Sequence, residues 1–537
     1  MAVPQNTSGE KMKETFLCLD VESSFFGLYE KLRSIVANDS RVYHSKNEFI
    51  RTNPHWVRDH IHEMKGYIYW QKEIRSFLDL ILKNQNNKGF FYEIFAPFNS
   101  PIAGHLNFVG GDCRVLFPDL GYGLVRLEVE ADIEYLIVEG VHRIWQATGD
   151  TKWLEKNLNH LEKGIKYCLS DPKRWDNKYK LMKRPRTIDT WDFINRPDTG
   201  INRRILPDDP MGIMHGDNSG LYAAMIQLSK MFEICGQERK SSFWKERAEE
   251  LRGRANITLW NGKFYIHHLP LDNAFYGVDE REQLSLSNAY DINRGLPTHK
   301  MAVSILDEYQ KLRDLLKGEY FAEWFSLYPP YPQFYTYSAG SYINGGIASF
   351  VAGELAHAAF QHGREEYAVD ILKRIAKKIN EDGTLYFLYT KDGKNQGGGP
   401  SGWGAASLIY ALIEGLAGID DQKCSYEKVK ISPRWVSADE KYAHIKIVYG
   451  PSDNTLEYDF RWDKEAKIIY LKLYPGPKEV EWNILLPPNY SLEKVERNKK
   501  IIPFKLANVE KSKYTVIKNN VVPAKGEFLT LFLQETL

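Results

Sequence analysis

The stretch "WVRD" at 56–59 places an aromatic ring, a guanidinium group and a carboxylate within four residues. The Asp59 carboxylate can accept hydrogen bonds from two hydroxyl groups, and the Arg58 guanidinium donates in a fixed fork. Trp56 would add an apolar wall. Opposite charges beside a large ring indicate either a site that binds a ligand or a buried ion pair that closes a loop.

The stretch "RTIDTWDFINR" at 186–196 places two carboxylates beside Trp191. A carboxylic acid that donates a proton near neutral pH must be kept protonated by burial or by a neighbouring carboxylate. Asp189 and Asp192 are three residues apart, so one can be that neighbour of the other. The alternative is a pair of aspartates that cap a turn, because the adjacent "NRPDTG" has turn composition.

The stretch "GGGPSGWGAAS" at 397–407 predicts a small-residue loop that leads into a buried helix containing Trp403. Backbone N–H groups at the start of a helix can bind anions. Two carboxylates in loops could act with this element. Asp392 precedes it in the chain, and Glu323 lies in "FAEWFSLYPPYP" at 321–332.

Composition excludes several classes of protein. The 71 basic and 70 acidic residues give a net charge of +1, so the chain lacks the basic excess of a nucleic-acid-binding protein. Five scattered cysteines have no metal-ligand spacing and favour a reducing compartment. Adjacent His267 and His268 should point to opposite faces of a strand. The sequence therefore predicts no metal site and no cofactor.

The N-terminal residues contain no apolar signal-peptide core, and no apolar run reaches the length of a membrane span. These observations predict a cytoplasmic protein that does not bind membranes.

Hydrophobic periodicity predicts helical hairpins up to about residue 418 and strands after it. The expected helical segments are 21–38, 66–84, 124–150, 151–169, 217–237, 240–260, 298–317, 341–379 with a break at 362–363, and 401–419. Alternating polar and apolar residues follow. The predicted fold is mainly α, with a helical toroid over 1–419 and an antiparallel β-sandwich over 420–537.

This layout and the "WVRD" element together resemble the (α/α)6-barrel or six-hairpin glycosidases, which include glucoamylases, trehalases and processing α-glucosidases. The resemblance implies that Trp56, Arg58 and Asp59 bind the terminal sugar. By the same resemblance Asp192 is the general acid and Trp191 shields it, while Asp189 is either its carboxylate neighbour or the acid itself.

The resemblance also places Trp403 in the substrate site. However, those enzymes usually carry a glutamate as general base shortly before the glycine-rich loop, and "LYFLY" at 385–389 has no carboxylate. Asp392 or Glu323 would have to act as the base.

The resulting hypothesis is an exo-acting, inverting glycoside hydrolase that removes a terminal sugar from an oligosaccharide or glycoside. A glycoside phosphorylase on the same scaffold is one alternative, since phosphate attacks without a base and the glycine-rich loop could hold it. A carbohydrate-binding toroid without activity is another. The expected partner is a small carbohydrate, with no nucleic acid and no membrane, and the oligomeric state stays open.

Overall fold

The computed structural model describes residues 14–46, 48–189, 191, 204–272 and 275–536. Twelve α-helices occur among them, and all precede residue 411. They are α1 (Leu28–Asp39), α2 (Val57–Tyr67), α3 (Ser76–Lys83), α4 (Ile133–Thr148), α5 (Thr151–Ser170), α6 (His215–Ile234), α7 (Glu238–Thr258), α8 (Ser287–Arg294), α9 (His299–Leu315), α10 (Ser349–Gln361), α11 (Glu365–Asp382) and α12 (Gly402–Tyr410). A π-helical turn, Ala411–Leu416, continues α12.

Several helix limits follow from residues that the sequence shows directly. The Asp150 side chain accepts a hydrogen bond from Trp153 N at 3.0 Å and starts α5. Gly149, at φ 67°, ends α4 and allows the sharp turn between the two helices. Thr298 caps α9 through Met301 N at 3.3 Å. The pairs α4–α5, α6–α7 and α10–α11 each consist of consecutive helices in contact.

Several expected helices are wrong in extent. The helices expected to begin at 21 and 341 begin at Leu28 and Ser349. The helix expected over 124–150 begins at Ile133, because Tyr122–Val125 is a strand that pairs with Ile94–Pro97. The helix expected over 66–84 is interrupted between α2 and α3. There, the Gly450 amide donates to the Ile68 carbonyl at 2.9 Å, so the β-domain packs against the chain where the helix would continue.

Short strands and single turns of 3₁₀-helix occupy the segments between the helices. These strands are Arg41–Ser45, Glu48–Thr52, Ile94–Pro97, Arg114–Phe117, Tyr122–Val125, Trp175–Asp176, Leu181–Met182, Arg184–Pro185, Met211–Met214, His268–Pro270, Leu284–Ser285, Leu327–Tyr328, Gln333–Phe334, Tyr337–Ser338, Ile347–Ala348, Tyr386–Tyr389 and Asn395–Pro400. The last two pair with each other and lead directly into α12.

The C-terminal region contains two larger sheets. The seven-stranded sheet has the order Phe16–Leu19, Tyr442–Val448, Thr455–Asp463, Ile468–Leu473, Glu527–Glu535, Tyr490–Arg497 and Lys500–Ile502. The five-stranded sheet has the order Ile419–Asp421, Lys428–Ile431, Glu479–Leu485, Ser512–Val521 and Lys505–Val509. The change from helices to strands thus falls where the periodicity changes.

The two sheets face each other, since Tyr458 and Trp482 from opposite sheets form an edge-to-face ring contact with centroids 6.4 Å apart. One strand pair departs from the expected antiparallel arrangement, because Lys428–Ile431 and Glu479–Leu485 run parallel. The strand Phe16–Leu19 comes from the opposite end of the chain and pairs with Tyr442–Val448.

The helical region and the β-domain share one continuous hydrophobic core. At their boundary the rings of Tyr69 and Tyr449 stack with centroids 6.0 Å apart, and the Tyr458 hydroxyl donates to the Ala417 carbonyl at 2.7 Å. Among the described helices, none has both the length and the apolar composition that crossing a membrane requires.

Candidate active site

A cavity of about 270 Å³ lies where the first and last helices of the helical region meet. Its volume is near the lower end of ligand-binding pockets, which begin at about 300 Å³. Residues that are far apart in the sequence build its wall. The lining residues are Asp39, Pro54, Trp56, Arg58, Asp59, Glu63, Glu130, Trp191, Tyr342, Phe387, Gly398, Gly399, Pro400, Ser401, Gly402 and Trp403.

The "WVRD" element forms the start of α2 and faces this cavity. Trp56 is the extended residue before the helix and bridges to Ile94 of a neighbouring strand. The Val57 amide donates to the Glu93 carbonyl at 2.8 Å, which fixes the start of the helix. Asp59 lies in the first turn of α2 and is half-buried at the cavity wall.

Arg58 is oriented by carboxylates that are distant in sequence. Its Nε donates to Asp132 Oδ2 at 2.5 Å and its Nη2 donates to Asp132 Oδ1 at 2.9 Å. Nη2 also contacts the carboxylate of Glu130, which lines the cavity. Because the guanidinium is buried and held on two sides, its position at the cavity wall is fixed before any ligand binds.

Trp191 forms another part of the wall. Its ring is edge-on to Tyr342, with centroids 5.7 Å apart, and lies 5.9 Å from the ring of Phe387. Its carbonyl accepts a hydrogen bond from Arg184. The structure therefore brings Trp191 to the same cavity as Trp56 and Asp59, although these residues are far apart in the sequence. Asp192, the expected general acid, lies outside the described residues.

Asp189 lies behind this wall and is not among the described residues that line the cavity. Its carboxylate accepts hydrogen bonds from Ser285 Oγ at 2.8 Å and from Ser287 Oγ at 2.7 Å. Burial alone would raise the pKa of Asp189, but the charge of His215 and the two serine donors hold it below its ordinary value. Asp189 is thus an ionised anchor for the segment that carries Trp191.

Trp403 forms the floor of the cavity. It is the second residue of α12, which Ser401 caps by accepting a hydrogen bond from Gly404 N at 3.0 Å. The indole stacks on His62 with centroids 4.4 Å apart and donates from Nε1 to the Tyr290 hydroxyl at 2.9 Å. These contacts fix the orientation of the ring.

Glu323 lies in a different place from the one expected of a general base. Its carboxylate receives two hydrogen bonds from Arg374, at 2.8 and 2.9 Å, and one from the Tyr367 hydroxyl at 2.6 Å. It borders a second cavity, together with Arg374 and Asp370. The described lining of the first cavity does not include it.

Asp392 is also outside the described lining of the first cavity. It is exposed in the turn between Tyr386–Tyr389 and Asn395–Pro400. Hydrogen bonds from Lys394 and Thr390 lower the pKa of its carboxyl group to about 2. Its contacts are those of a turn residue that pairs with a nearby lysine.

Three lining carboxylates were not predicted as site residues. Glu63 lies one helical turn after Asp59 on α2, and this spacing alone places it on the same helix face. Asp39 is the last residue of α1, and nothing in the local sequence distinguishes it. The carboxylate of Glu130 contacts Arg58, which is more than seventy residues away in the sequence.

Asp39 and Glu63 share a hydrogen bond beside the first residue of α12. Asp39 Oδ2 also accepts from Gly402 N at 3.0 Å. Burial, followed by the charges of Asp39 and Asp59, raises the pKa of Glu63 well above its usual range. Burial also raises the pKa of Asp39, against the effect of its hydrogen bonds from Glu63 and Gly402. The two carboxyl groups therefore lie where they can share a proton at the cavity wall.

A separate cluster has the geometry of a metal site. Contrary to the expected opposite orientation, ligand atoms of His267, His268 and Glu280 lie within 4.8 Å of one another. However, His267 Nε2 accepts from Asp189 N at 3.1 Å, and its other ring nitrogen hydrogen-bonds the Gln283 amide oxygen at 3.1 Å. The Glu280 carboxylate contacts the guanidinium of Arg186. The ligand atoms of His267 and Glu280 are thus engaged by protein groups. The ring nitrogens of His268 have no hydrogen-bond partner among the described residues, although Nδ1 lies 3.2 Å from a Glu280 carboxylate oxygen.

Solved structures with a similar fold include glycoside hydrolases. An α-L-rhamnosidase from Dictyoglumus thermophilum superimposes with a TM-score of 0.59 at 14% identity, over 97% of this chain and 50% of that one. An α-L-rhamnosidase from Streptomyces avermitilis, complexed with L-rhamnose, gives 0.53 at 12% identity, over 96% and 42%. The GH63 mannosylglycerate hydrolase from Thermus thermophilus, in complex with Tris and D-glycerate, gives 0.50 at 13% identity, over 72% and 100%.

No protein-family model and no curated protein sequence matches the chain. The chain spans half or less of the length of the rhamnosidases that it matches. At these identities the similarity establishes the fold, which is that of a glycoside hydrolase with a helical domain and a β-domain.

Proposed function

We propose that the protein is an exo-acting glycoside hydrolase that removes one terminal sugar from an oligosaccharide or glycoside, with inversion at C1. We also propose that its helical region is an (α/α)6 toroid with this cavity at one end. The observation that supports the activity is the convergence of Trp56, Asp59, Trp191 and Trp403 on one cavity. Their indole rings suit the apolar faces of a sugar, and Asp59 suits its hydroxyl groups.

The size of the cavity supports an exo mode of action. About 270 Å³ accommodates a small ligand, and the floor is closed by Trp403 on a fully packed helix. A terminal sugar can enter such a space, whereas an internal sugar would need an outlet on both sides. On the grounds given by the sequence, Asp192 is the proposed general acid, since it directly follows Trp191.

The charge of the lining supports a neutral sugar. Four carboxylates line the cavity, namely Asp39, Asp59, Glu63 and Glu130. Arg58 is the cation among the described lining residues, and Asp132 and Glu130 already balance its charge. A uronic acid or a phosphorylated sugar would meet net negative charge, so we expect such substrates to be rejected.

The same charge weighs against the phosphorylase alternative. A phosphate nucleophile would have to bind among these carboxylates near the start of α12. The amides there are engaged by the protein, because Gly402 N donates to Asp39 and Gly404 N donates to Ser401. The loop therefore resembles a helix cap more than a phosphate cradle.

The test is a panel of aryl glycosides that includes α-L-rhamnoside and α-D-mannoside, assayed with and without inorganic phosphate. Hydrolysis of at least one neutral glycoside, independent of phosphate, is the expected result. The anomeric form of the released sugar, followed by NMR during the first turnovers, reports inversion or retention. Binding without turnover for every glycoside would favour the non-catalytic alternative.

A further inference from the structure

The carboxyl groups of Asp39 and Glu63 form a pair that sequence reasoning did not find. They come from two different helices, the end of α1 and the middle of α2, and both face the cavity. Gly402 lies between them, and a Cβ on this residue would clash with both carboxyl groups. The absence of a side chain at this position is what lets the two groups meet.

The surroundings of the two groups differ, and this difference decides where the charge resides. Asp39 is partly exposed and accepts the Gly402 amide, which stabilises its ionised form. Glu63 is 2% exposed, and its other oxygen is 3.4 Å from the Asn53 side-chain nitrogen. A proton on Glu63 that is donated to an ionised Asp39 satisfies both groups.

We propose that Asp39 is the general base of the hydrolysis and that Glu63 is the positioning residue that holds it with a shared proton. This inference rests on the proposed function. It supplies the base that the sequence leaves unassigned, since Glu323 is held by Arg374 and Asp392 is an exposed turn residue.

The protons and electrons of the step balance. A water molecule next to Asp39 attacks C1 while its proton passes to the Asp39 carboxylate. The C1–O bond breaks, and its electron pair stays on the leaving oxygen, which takes a proton from the general acid. Both carboxyl groups of the pair are then protonated, and Asp39 returns its proton to solvent before the next turnover.

Other charged groups near the pair act on its pKa in both directions. Asp59 on α2 adds negative charge next to Glu63, and Arg41 on the strand after α1 opposes this effect at Asp39. Glu130 and Arg58 on the cavity wall pair with each other. His62 stacks on Trp403, and burial keeps its pKa well below the ordinary value, so it is neutral.

The experiment compares Asp39→Asn, Glu63→Gln and the rival Asp392→Asn on an aryl glycoside that the wild-type protein hydrolyses. Asp39→Asn should lower kcat by a factor of about 10² or more, the typical scale for loss of a general base, with little change in KM. Sodium azide attacks C1 without deprotonation and should restore turnover of this variant, releasing a glycosyl azide.

Glu63→Gln should lower kcat by less than about tenfold, because its amide still donates to Asp39. Asp392→Asn should keep the wild-type rate.

A wild-type kcat for Asp39→Asn, or a loss that azide does not restore and that lies in KM alone, would overturn the assignment. The infrared spectrum separates this failure from a failure of the proposed function. In the difference spectrum between the wild-type protein and Glu63→Gln at pH 7, the C=O stretch of one protonated carboxyl group should be lost, whether or not the protein hydrolyses any glycoside. The contributions of Glu93 and Glu414, whose pKa burial raises to about 8 and about 7, should cancel in this difference. If the band is present but no glycoside is turned over, the proton-sharing pair stands and the hydrolase proposal fails.

Discussion

Two cavities of the same volume, about 270 Å³ each, differ in how their carboxylates are balanced. In the cavity bordered by Glu323, the acidic groups meet Arg374 at ordinary ion-pair distances. In the cavity bordered by Asp59, the carboxyl groups of Asp39 and Glu63 are next to each other, and three tryptophan rings also line the wall. The first arrangement stabilises a fold. The second costs stability and is retained where a ligand or a reaction uses it.

The largest expected effect is on the stability of the protein, and it comes from the cavity that Glu323 borders. Replacing Glu323 with Ala leaves Arg374 with Asp370 alone and the Tyr367 hydroxyl without its acceptor. The free energy of unfolding should fall by about 3 kcal/mol, at the low end for a broken buried pair because Arg374 is a quarter exposed. Urea unfolding measures the loss.

Activity per folded molecule should be unchanged in Glu323→Ala, because the residue lies away from the proposed sugar site. A variant that stays fully folded and loses turnover would contradict this and return Glu323 to the candidate bases.

The next effect concerns the acid of the other cavity. Asp192→Asn preserves the shape of the side chain and removes the proton, so hydrolysis of a disaccharide should fall by a factor of about 10² or more. An aryl glycoside with an activated leaving group needs little protonation and should lose much less. The measurement is the ratio of the two losses, and equal losses would remove Asp192 from the acid role.

Asp59→Ala should produce a smaller loss, in binding. Each sugar hydroxyl left without its acceptor costs about 1–3 kcal/mol, which corresponds to a factor of roughly 5 to 150 in affinity. Isothermal titration with the released monosaccharide measures it. The matched control is Asp119→Ala, an exposed aspartate that is outside the described lining. Equal affinity in the two variants would end the proposed role of Asp59.

The two cavities also show what the sequence could predict. Trp56, Arg58 and Asp59 were recognisable because adjacent residues in one motif lie together in the structure. Trp191 was indicated by the stretch at 186–196, and Trp403 by the small-residue loop at 397–407. The helix-to-strand change near Gly418 was predicted from periodicity, and in the structure a strand begins at Ile419.

Other features depend on contacts between distant parts of the chain. The pairing of Asp39 with Glu63 requires α1, α2 and α12 to pack with Gly402 between them, and no local pattern encodes that. Glu323 resembled a loop carboxylate with an adjacent tryptophan, and its partner Arg374 is 51 residues away. Strand Phe16–Leu19 has its hydrogen-bond partners near the other end of the chain. Sequence spacing identifies a local motif, whereas charge balance is decided by the tertiary fold.

The smallest expected effect is a change in the pH dependence of stability, and it is specific to the cavity that Asp59 and Glu63 line. The pKa of Glu63 in the folded protein lies above its unfolded value, so the folded state holds the proton more tightly. Glu63 therefore contributes most to stability at low pH. This contribution decreases as the pH rises from the pKa of glutamate in the unfolded chain, about 4.3, towards the raised pKa of Glu63 in the folded protein. Glutamine has no proton to lose, so Glu63→Gln should gain stability relative to the wild-type protein between about pH 4.5 and about pH 7.5.

Urea unfolding at both pH values gives the difference, and Glu323→Gln, where Arg374 is the partner, should show no such gain. Parallel pH profiles for Glu63→Gln and the wild-type protein would mean that the fold does not raise the pKa of Glu63, and the proposed proton sharing with Asp39 would be wrong.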